Sequence, residues 1–305
     1  MRIMLATDGS DHAQLTEAFL ARFPIAKSAD LDVVSVCAML PIIGVGVPAI
    51  AEPAIPEQTA ALWEELHKHT KNVVNETVQR LADQGFKANP VVLDGDIAGE
   101  LIDYAERSKA NLVVVGSRGE NALVVALLGS VARKMVGHSP CSVLVVRGQE
   151  TKSVEENVAD LAKKDKLTAL MAVDDSPGSQ AAVESFKAYG DGFGRLVCLS
   201  VRPLPVYPPA IAPMVASMEI DNPDDRTAAI AEAAAEELKG SADKVESMRA
   251  HGHPSHEIVQ AAKDIGADLI ILGATRHGLI ERFLIGSVAY DVAAQADCSV
   301  LVIRP

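Results

Sequence analysis

At 305 residues, with 49% hydrophobic and 23% charged residues, the chain has the apolar surface for buried cores, too little charge for disorder, and the length of two domains of about 100–200 residues. A net charge of −13 with no local cluster of Lys and Arg argues against nucleic acid as a partner, because the field repels phosphate backbones. Aromatics at 4% beside abundant Ala, Val, Ile and Leu suit parallel strands covered on both faces by small-residue helices, as in an α/β fold.

The chain starts with a strand-like run, Ile3-Met4-Leu5-Ala6-Thr7, that ends at Asp8-Gly9-Ser10 and leads into a helix. It lacks the long apolar core and small-residue cleavage site of an export leader, so a cytoplasmic location is expected. A second strand, Val33-Val34-Ser35-Val36, exits into an apolar segment, 39–56, that Pro41, Pro48 and Pro53 keep from spanning a membrane. That segment reads as a packed loop, with a lid or a partner-binding patch as the alternatives. Apolar spacing of three and four residues predicts a long amphipathic helix over 58–84. The run Asn111-Leu112-Val113-Val114-Val115-Gly116 predicts a strand, Gly129-Ser130 opens a helix over 131–137, and Ser142-Val143-Leu144-Val145-Val146-Arg147 predicts a closing strand.

The same order then repeats. Leu170-Met171-Ala172-Val173-Asp174-Asp175-Ser176 mirrors the first strand, Cys198-Leu199-Ser200-Val201 the second, a proline-rich stretch at 203–213 the loop, and 225–250 the long helix. Gly116 and Gly273, Gly129 and Gly286, and Cys141 and Cys298 are each 157 positions apart, a constant register that signals duplication. Two domains are expected, 1–147 and 167–305, joined by a charged linker, 148–166, with weak helical periodicity over 154–161. Each domain should hold an open parallel sheet with helices on both faces, of the Rossmann-like nucleotide-binding kind, and take ligands beyond the strand C-termini at the switch point.

That location coincides with a pattern in the first unit, Gly116-Ser117-Arg118-Gly119, nine residues, then Gly129-Ser130. Glycines there permit tight turns and close backbone approach, and the following helix offers its N-terminal amides to a polyphosphate, with the Ser130 hydroxyl as a further donor. Asp8 can reach the same crevice to accept from a ribose hydroxyl or an adenine amine. Arg118 reads either as a phosphate partner or as a solvated loop residue. Taken singly, a glycine after a strand is a turn and Gly-Ser before a helix is a cap; together they favour binding.

The segments Ala6-Thr7-Asp8-Gly9-Ser10, Gly116-Ser117-Arg118-Gly119, Leu128-Gly129-Ser130-Val131-Ala132 and Pro140-Cys141-Ser142-Val143-Leu144-Val145-Val146 resemble the universal stress protein superfamily, and the likeness covers nearly the whole chain as a tandem two-domain member. The resemblance implies a five-stranded parallel sheet per domain and, in ATP-binding members, a nucleotide held by the glycine pattern. By position it assigns Gly116, Gly119, Gly129, Ser130 and Val131 to phosphate and ribose, Thr7 and Asp8 to the neighbourhood of the base, and Val36 and Val115 to the adenine slot. It implies ATP, with or without Mg, as ligand and admits cyclic AMP. It also implies that the closing strands of the two halves meet as an intramolecular pseudo-dimer, and it leaves room for a homodimer.

The second unit departs from the pattern. The register that places Gly119 in the first places Arg276 in the second, which is expected to block the amides; direct pairing of that guanidinium with phosphate is the alternative. Gly9 is matched by Asp175, a second acid beside Asp174 that discourages an anionic ligand.

No catalytic residue is assigned. The sequence has no GxxxxGK[ST], no kinase catalytic set and no GxSxG elbow. A slow ATPase or autophosphorylating enzyme, and a scaffold that binds nothing small, stand as alternatives to a non-catalytic nucleotide-binding regulator of the stress response. No metal site is expected either. Cys37, Cys141, Cys198 and Cys298 stand far apart, and His251, His253 and His256 read as polar residues of a turn.

Overall fold

The computed structural model describes residues 1–24, 26–38, 57–119, 128–149, 151–189, 192–203, 226–274 and 285–304. The segments 39–56 and 204–213, and Arg276, His277 and Gly278, lie outside the described residues. Within the described residues of the first half, β1 (Arg2–Ala6), α1 (Asp11–Leu20), β2 (Asp30–Ala38), α2 (Glu57–Asp83), β3 (Ala88–Gly95), α3 (Ile97–Arg107), β4 (Leu112–Gly116), α4 (Ser130–His138) and β5 (Ser142–Val146) follow in order. A connecting helix α5 (Val154–Lys163) leads to β6 (Leu167–Ala172), α6 (Pro177–Phe186), β7 (Phe193–Pro203), α7 (Arg226–Glu237), β8 (Ala242–Gly252), α8 (Pro254–Asp264), β9 (Leu269–Gly273), α9 (Ser287–Gln295) and β10 (Ser299–Ile303).

Each half orders its strands around a switch point, and the two halves join into one ten-stranded sheet, β3-β2-β1-β4-β5-β10-β9-β6-β7-β8. Every pairing is parallel except β5 with β10, which run antiparallel with Leu144 opposite Leu301. Central strands such as β4 (LVVVG) and β5 (SVLVV) are apolar throughout because both faces are buried. Alternate residues feed two cores. Ile3, Leu5, Leu144 and Leu301 meet α1, α2 and α6 on one face, while Met4, Val143, Val145 and Val302 meet α3, α4, α8 and α9 on the other. Both cores run unbroken across the seam, and each fully buried Val, Leu or Ile contributes roughly 1.5–3 kcal/mol.

The seam also has polar fastenings. Arg304 of the second half donates to the carbonyls of Val136 and Ser139, both at 2.6 Å, at the end of α4. Reciprocally, Arg147 donates to Ala296 O at 2.5 Å and Ala293 O at 3.3 Å at the end of α9. A cation at a helix C-terminus satisfies carbonyls that have no intrahelical partner and complements the dipole. Phe23 adds an edge-on contact to Tyr189 and Phe193 of the other half, at centroid separations of 5.7 and 6.2 Å.

Two expectations change. The predicted helix over 225–250 stops at Glu237, and Ala242–Gly252 forms the edge strand β8 instead. Gly240, at φ +95°, turns the chain through a conformation that glycine adopts without strain, and the downstream Val245 and Met248 keep a three-residue spacing that imitates a continuing helix. The linker forms the helix that its periodicity over 154–161 suggests, but it is packed on one side rather than wholly solvated. Ser153 and Glu156 make a reciprocal capping box at the start of α5, and Val154, Val158 and Leu161 pack against the core beside α1.

Candidate functional site

Five chain segments converge at the C-terminal ends of β1, β2 and β4, where the strand order reverses. They enclose a cavity of about 360 Å³. Thr7, Asp8, Val36, Val115, Gly116, Gly119, Gly129, Ser130 and Val131 all line it, so the fold gathers every sequence-predicted site residue into one place. Sequence reasoning missed Ile97 and Leu101 of α3, which form part of the same wall; their spacing of four residues on an amphipathic helix was the available signal.

The backbone is tightly held here. Thr7 N–H donates to Val34 O at 2.9 Å and Ser117 N–H to Val146 O at 2.8 Å, extending the ladder past the last strand residues, and Gly129 N–H closes onto Ser117 O at 2.8 Å. A Cβ on Gly129 would lie 3.0 Å from Ser117 O, and one on Gly119 would lie 2.5 Å from Asp8 Oδ2. Gly129 thus closes against backbone, whereas a side chain at Gly119 would have to displace the Asp8 carboxylate. Asp8 Oδ1 accepts from the Ser10 hydroxyl at 2.6 Å and the Ser10 amide at 3.0 Å, and Ser10 in turn caps α1.

Gly129 is the N-cap of α4 and supplies no side-chain cap. The first-turn amides of α4 thus face the cavity rim without the acceptor that Ser, Thr or Asp would bring, which is the arrangement that receives an anion. Just beyond Ser130 and Val131 lies a smaller recess with Asp96 and Lys134, whose charged atoms are 3.5 Å apart. The amide of Gly99 and, next, Lys134 hold the Asp96 carboxyl below its ordinary pKa. Among the described residues lining the main cavity, the ionisable side chains are Asp8 and Arg118.

A larger cavity, about 650 Å³, lies at the domain junction between α1, α5 and α8. Its lysines are engaged by carboxylates. Lys152 meets Asp160 at 2.7 Å, Lys263 approaches Asp297 at 3.9 Å, and Lys164 pairs with Asp268. It is an ion-paired seam rather than a phosphate cradle.

Residues 1–147 and again 168–304 match the Universal stress protein family. The chain belongs to the universal stress protein family. A universal stress protein of Methanocaldococcus jannaschii is 34% identical over 147 residues, covering 48% of this chain and 81% of that protein. One from Mycolicibacterium smegmatis is 25% identical and aligns over 99% of this chain and 97% of its own length. A solved universal stress protein of Archaeoglobus fulgidus has the same fold, with a TM-score of 0.66, 19% identity, and coverage of 99% of this chain and 98% of that one.

In the second universal stress protein unit, Gly286 caps α9 as Gly129 caps α4, again without a side-chain cap. The wall opposite differs. The carbonyl of Gly178 packs directly against Gly273, its carbon 2.8 Å from where a Cβ would stand. Asp174 N–H is taken by Ser179 Oγ at 3.0 Å, and Asp175 is paired with Arg226 at 3.1 Å. The histidines read as turn residues are spread over three settings: His251 in β8, His253 at the N-cap of α8, and His256 inside that helix. No helix among the described residues is long and apolar enough to cross a membrane.

Proposed function

We propose that the first domain binds an adenine nucleotide, ATP in the first instance, and that the protein is a nucleotide-binding regulator of the stress response working in the cytoplasm. The observation that carries the reading is the convergence of the first-strand acid, the glycine turn and an uncapped helix N-terminus on one cavity at the switch point. In this reading, the triphosphate lies on the amides of Gly129, Ser130 and Val131, with Gly116 and Gly119 allowing close approach and Arg118 or Mg offsetting charge. Asp8 accepts from the ribose or the base, and the adenine lies among Val36, Val115 and Thr7. Turnover would need a metal-holding carboxylate set and a water-positioning base; among the described lining residues the ionisable groups are Asp8 and Arg118, which suits a binder better than a hydrolase.

Native mass spectrometry of gently purified full-length protein, before and after addition of ATP-Mg, tests this. One adenine nucleotide per chain is expected, with cyclic AMP as a competitor to rank the ligand. A chain that stays empty at saturating ATP-Mg overturns the reading, and two nucleotides per chain would show that the second unit binds as well.

A further inference from the structure

Cys37 and Asp94 stand opposite each other on the parallel strands β2 and β3, so their side chains leave the same face of the sheet. Leu31 and Val33, in step with Cys37, and Val92, in step with Asp94, pack into the core that α2 covers. Val36 and Val115, which line the nucleotide cavity, belong to the opposite core. Helix α2 lays His67 over this pair, with Nδ1 3.2 Å from Asp94 Oδ1. One ligating atom from each of Cys37, His67 and Asp94 lies within 4.8 Å of the other two.

We propose that Cys37, His67 and Asp94 form a binding site for a divalent transition-metal ion of the zinc class, with three protein ligands and a fourth position left to water or an exchangeable ligand. The donor set is the first reason. Thiolate, imidazole and carboxylate together suit zinc and cobalt, whereas magnesium and calcium take oxygen. Geometry is the second. Two ligands on one tetrahedral zinc, each at roughly 2.0–2.1 Å, stand about 3.3 Å apart, close to the separation of His67 and Asp94. Accessibility is the third. The Cys37 residue is 2% exposed, whereas the His67 and Asp94 side chains are 43% and 50% exposed. The sulfur therefore forms the floor of the site, and the two outer ligands keep the rotamer freedom to close on an ion arriving from solvent.

Among the described residues, Cys141, Cys198 and Cys298 belong to no such group of three potential ligands. Burial raises the pKa of the Cys141 thiol, pushes that of Cys198 up to about 12 and, with Asp268 and Asp297 nearby, pushes that of Cys298 up to about 12. The site shares no lining residue with the nucleotide cavity, and the reasons for it do not depend on ATP binding there.

The test uses tag-free full-length protein, stripped with a chelator and titrated with zinc against a chromophoric competitor, then with cobalt. One equivalent of metal and a thiolate-to-cobalt charge-transfer band are expected. Cys37→Ser should abolish the band and weaken zinc by at least about 100-fold. Asp94→Asn, a change at an exposed residue, should weaken it by at least about 10-fold, since even outer-shell partners carry that much, with an unchanged circular dichroism spectrum. Cys298→Ser should leave stoichiometry and affinity as they are. No stoichiometric binding, a cobalt complex without the thiolate band, or full affinity in Cys37→Ser would each overturn the proposal. If Cys37→Ser does not fold, the wild-type cobalt spectrum and Asp94→Asn still decide it.

Discussion

The two halves share their strands, their helix order and the uncapped glycine that opens the last helix, yet they differ at the crevice between β1 or β6 and that helix. Counting from the capping serines Ser10 and Ser176, His12 and Gly178 hold the same position. His12 O is 3.9 Å from where a Cβ on Gly116 would stand, whereas the Gly178 carbonyl is in direct contact at Gly273. Gly9 takes φ +77° in the first unit; its counterpart Asp175 carries a side chain paired with Arg226. The fold therefore tolerates a shift of the first helical turn against the sheet. The crevice is a local property of loops and the first turn, and the sheet is indifferent to it.

The largest expected effect breaks this comparison directly. Gly129→Val drives γ-carbons into Ser117 O and the α4 amides, and ATP affinity should fall by more than about 100-fold, about 2.8 kcal/mol, in isothermal titration. Next comes the tie between α1 and α2. Arg80 makes a bidentate pair with the buried Glu17, at 2.9 and 2.8 Å, which raises the Arg80 pKa and ties α1 to α2. The second unit has buried Val183 where the first has Glu17. Arg80→Ala should cost about 2–3 kcal/mol in urea unfolding, short of the roughly 3–5 kcal/mol for a wholly buried pair, because its side chain is 39% exposed. The double change Glu17→Val with Arg80→Leu, which puts the second unit's valine in place of Glu17 and removes the charge that would be left unpaired, should return stability to within about 1 kcal/mol of the parent. Gly119→Ala, which crowds Asp8 Oδ2, should weaken ATP by about tenfold, roughly 1.4 kcal/mol, with little change in melting temperature. Smallest of all, Gly286→Val should leave nucleotide stoichiometry unchanged; if it halves the bound nucleotide, the two crevices are equivalent after all.

Much of this was legible in the residues. The duplication, the apolar strands and the glycine pattern each follow from local chemistry, and all nine predicted residues share a cavity because a switch point must lie at the strand C-termini. What stayed hidden needed tertiary context. Strand β8 at the sheet edge is solvated and charge-rich, so its alternation was faint and Val245 and Met248 passed for a helix face. Ile97 and Leu101 look like ordinary core positions until α3 is placed beside the cavity. Cys37, His67 and Asp94 come from two strands and a helix, with no spacing between them that suggests a common ligand until α2 folds over the sheet edge.

The antiparallel meeting of β5 and β10 has an outcome for assembly. Two separate copies paired in this way would come apart on dilution, whereas a chain joined through α5 holds its second half at a high effective concentration whatever the amount in the cell. Once pairing no longer depends on both halves being identical, one of them is free to drift. The altered crevice of the second unit is what that freedom permits, while Arg147 and Arg304, each holding the other half's helix end, mark what had to be kept.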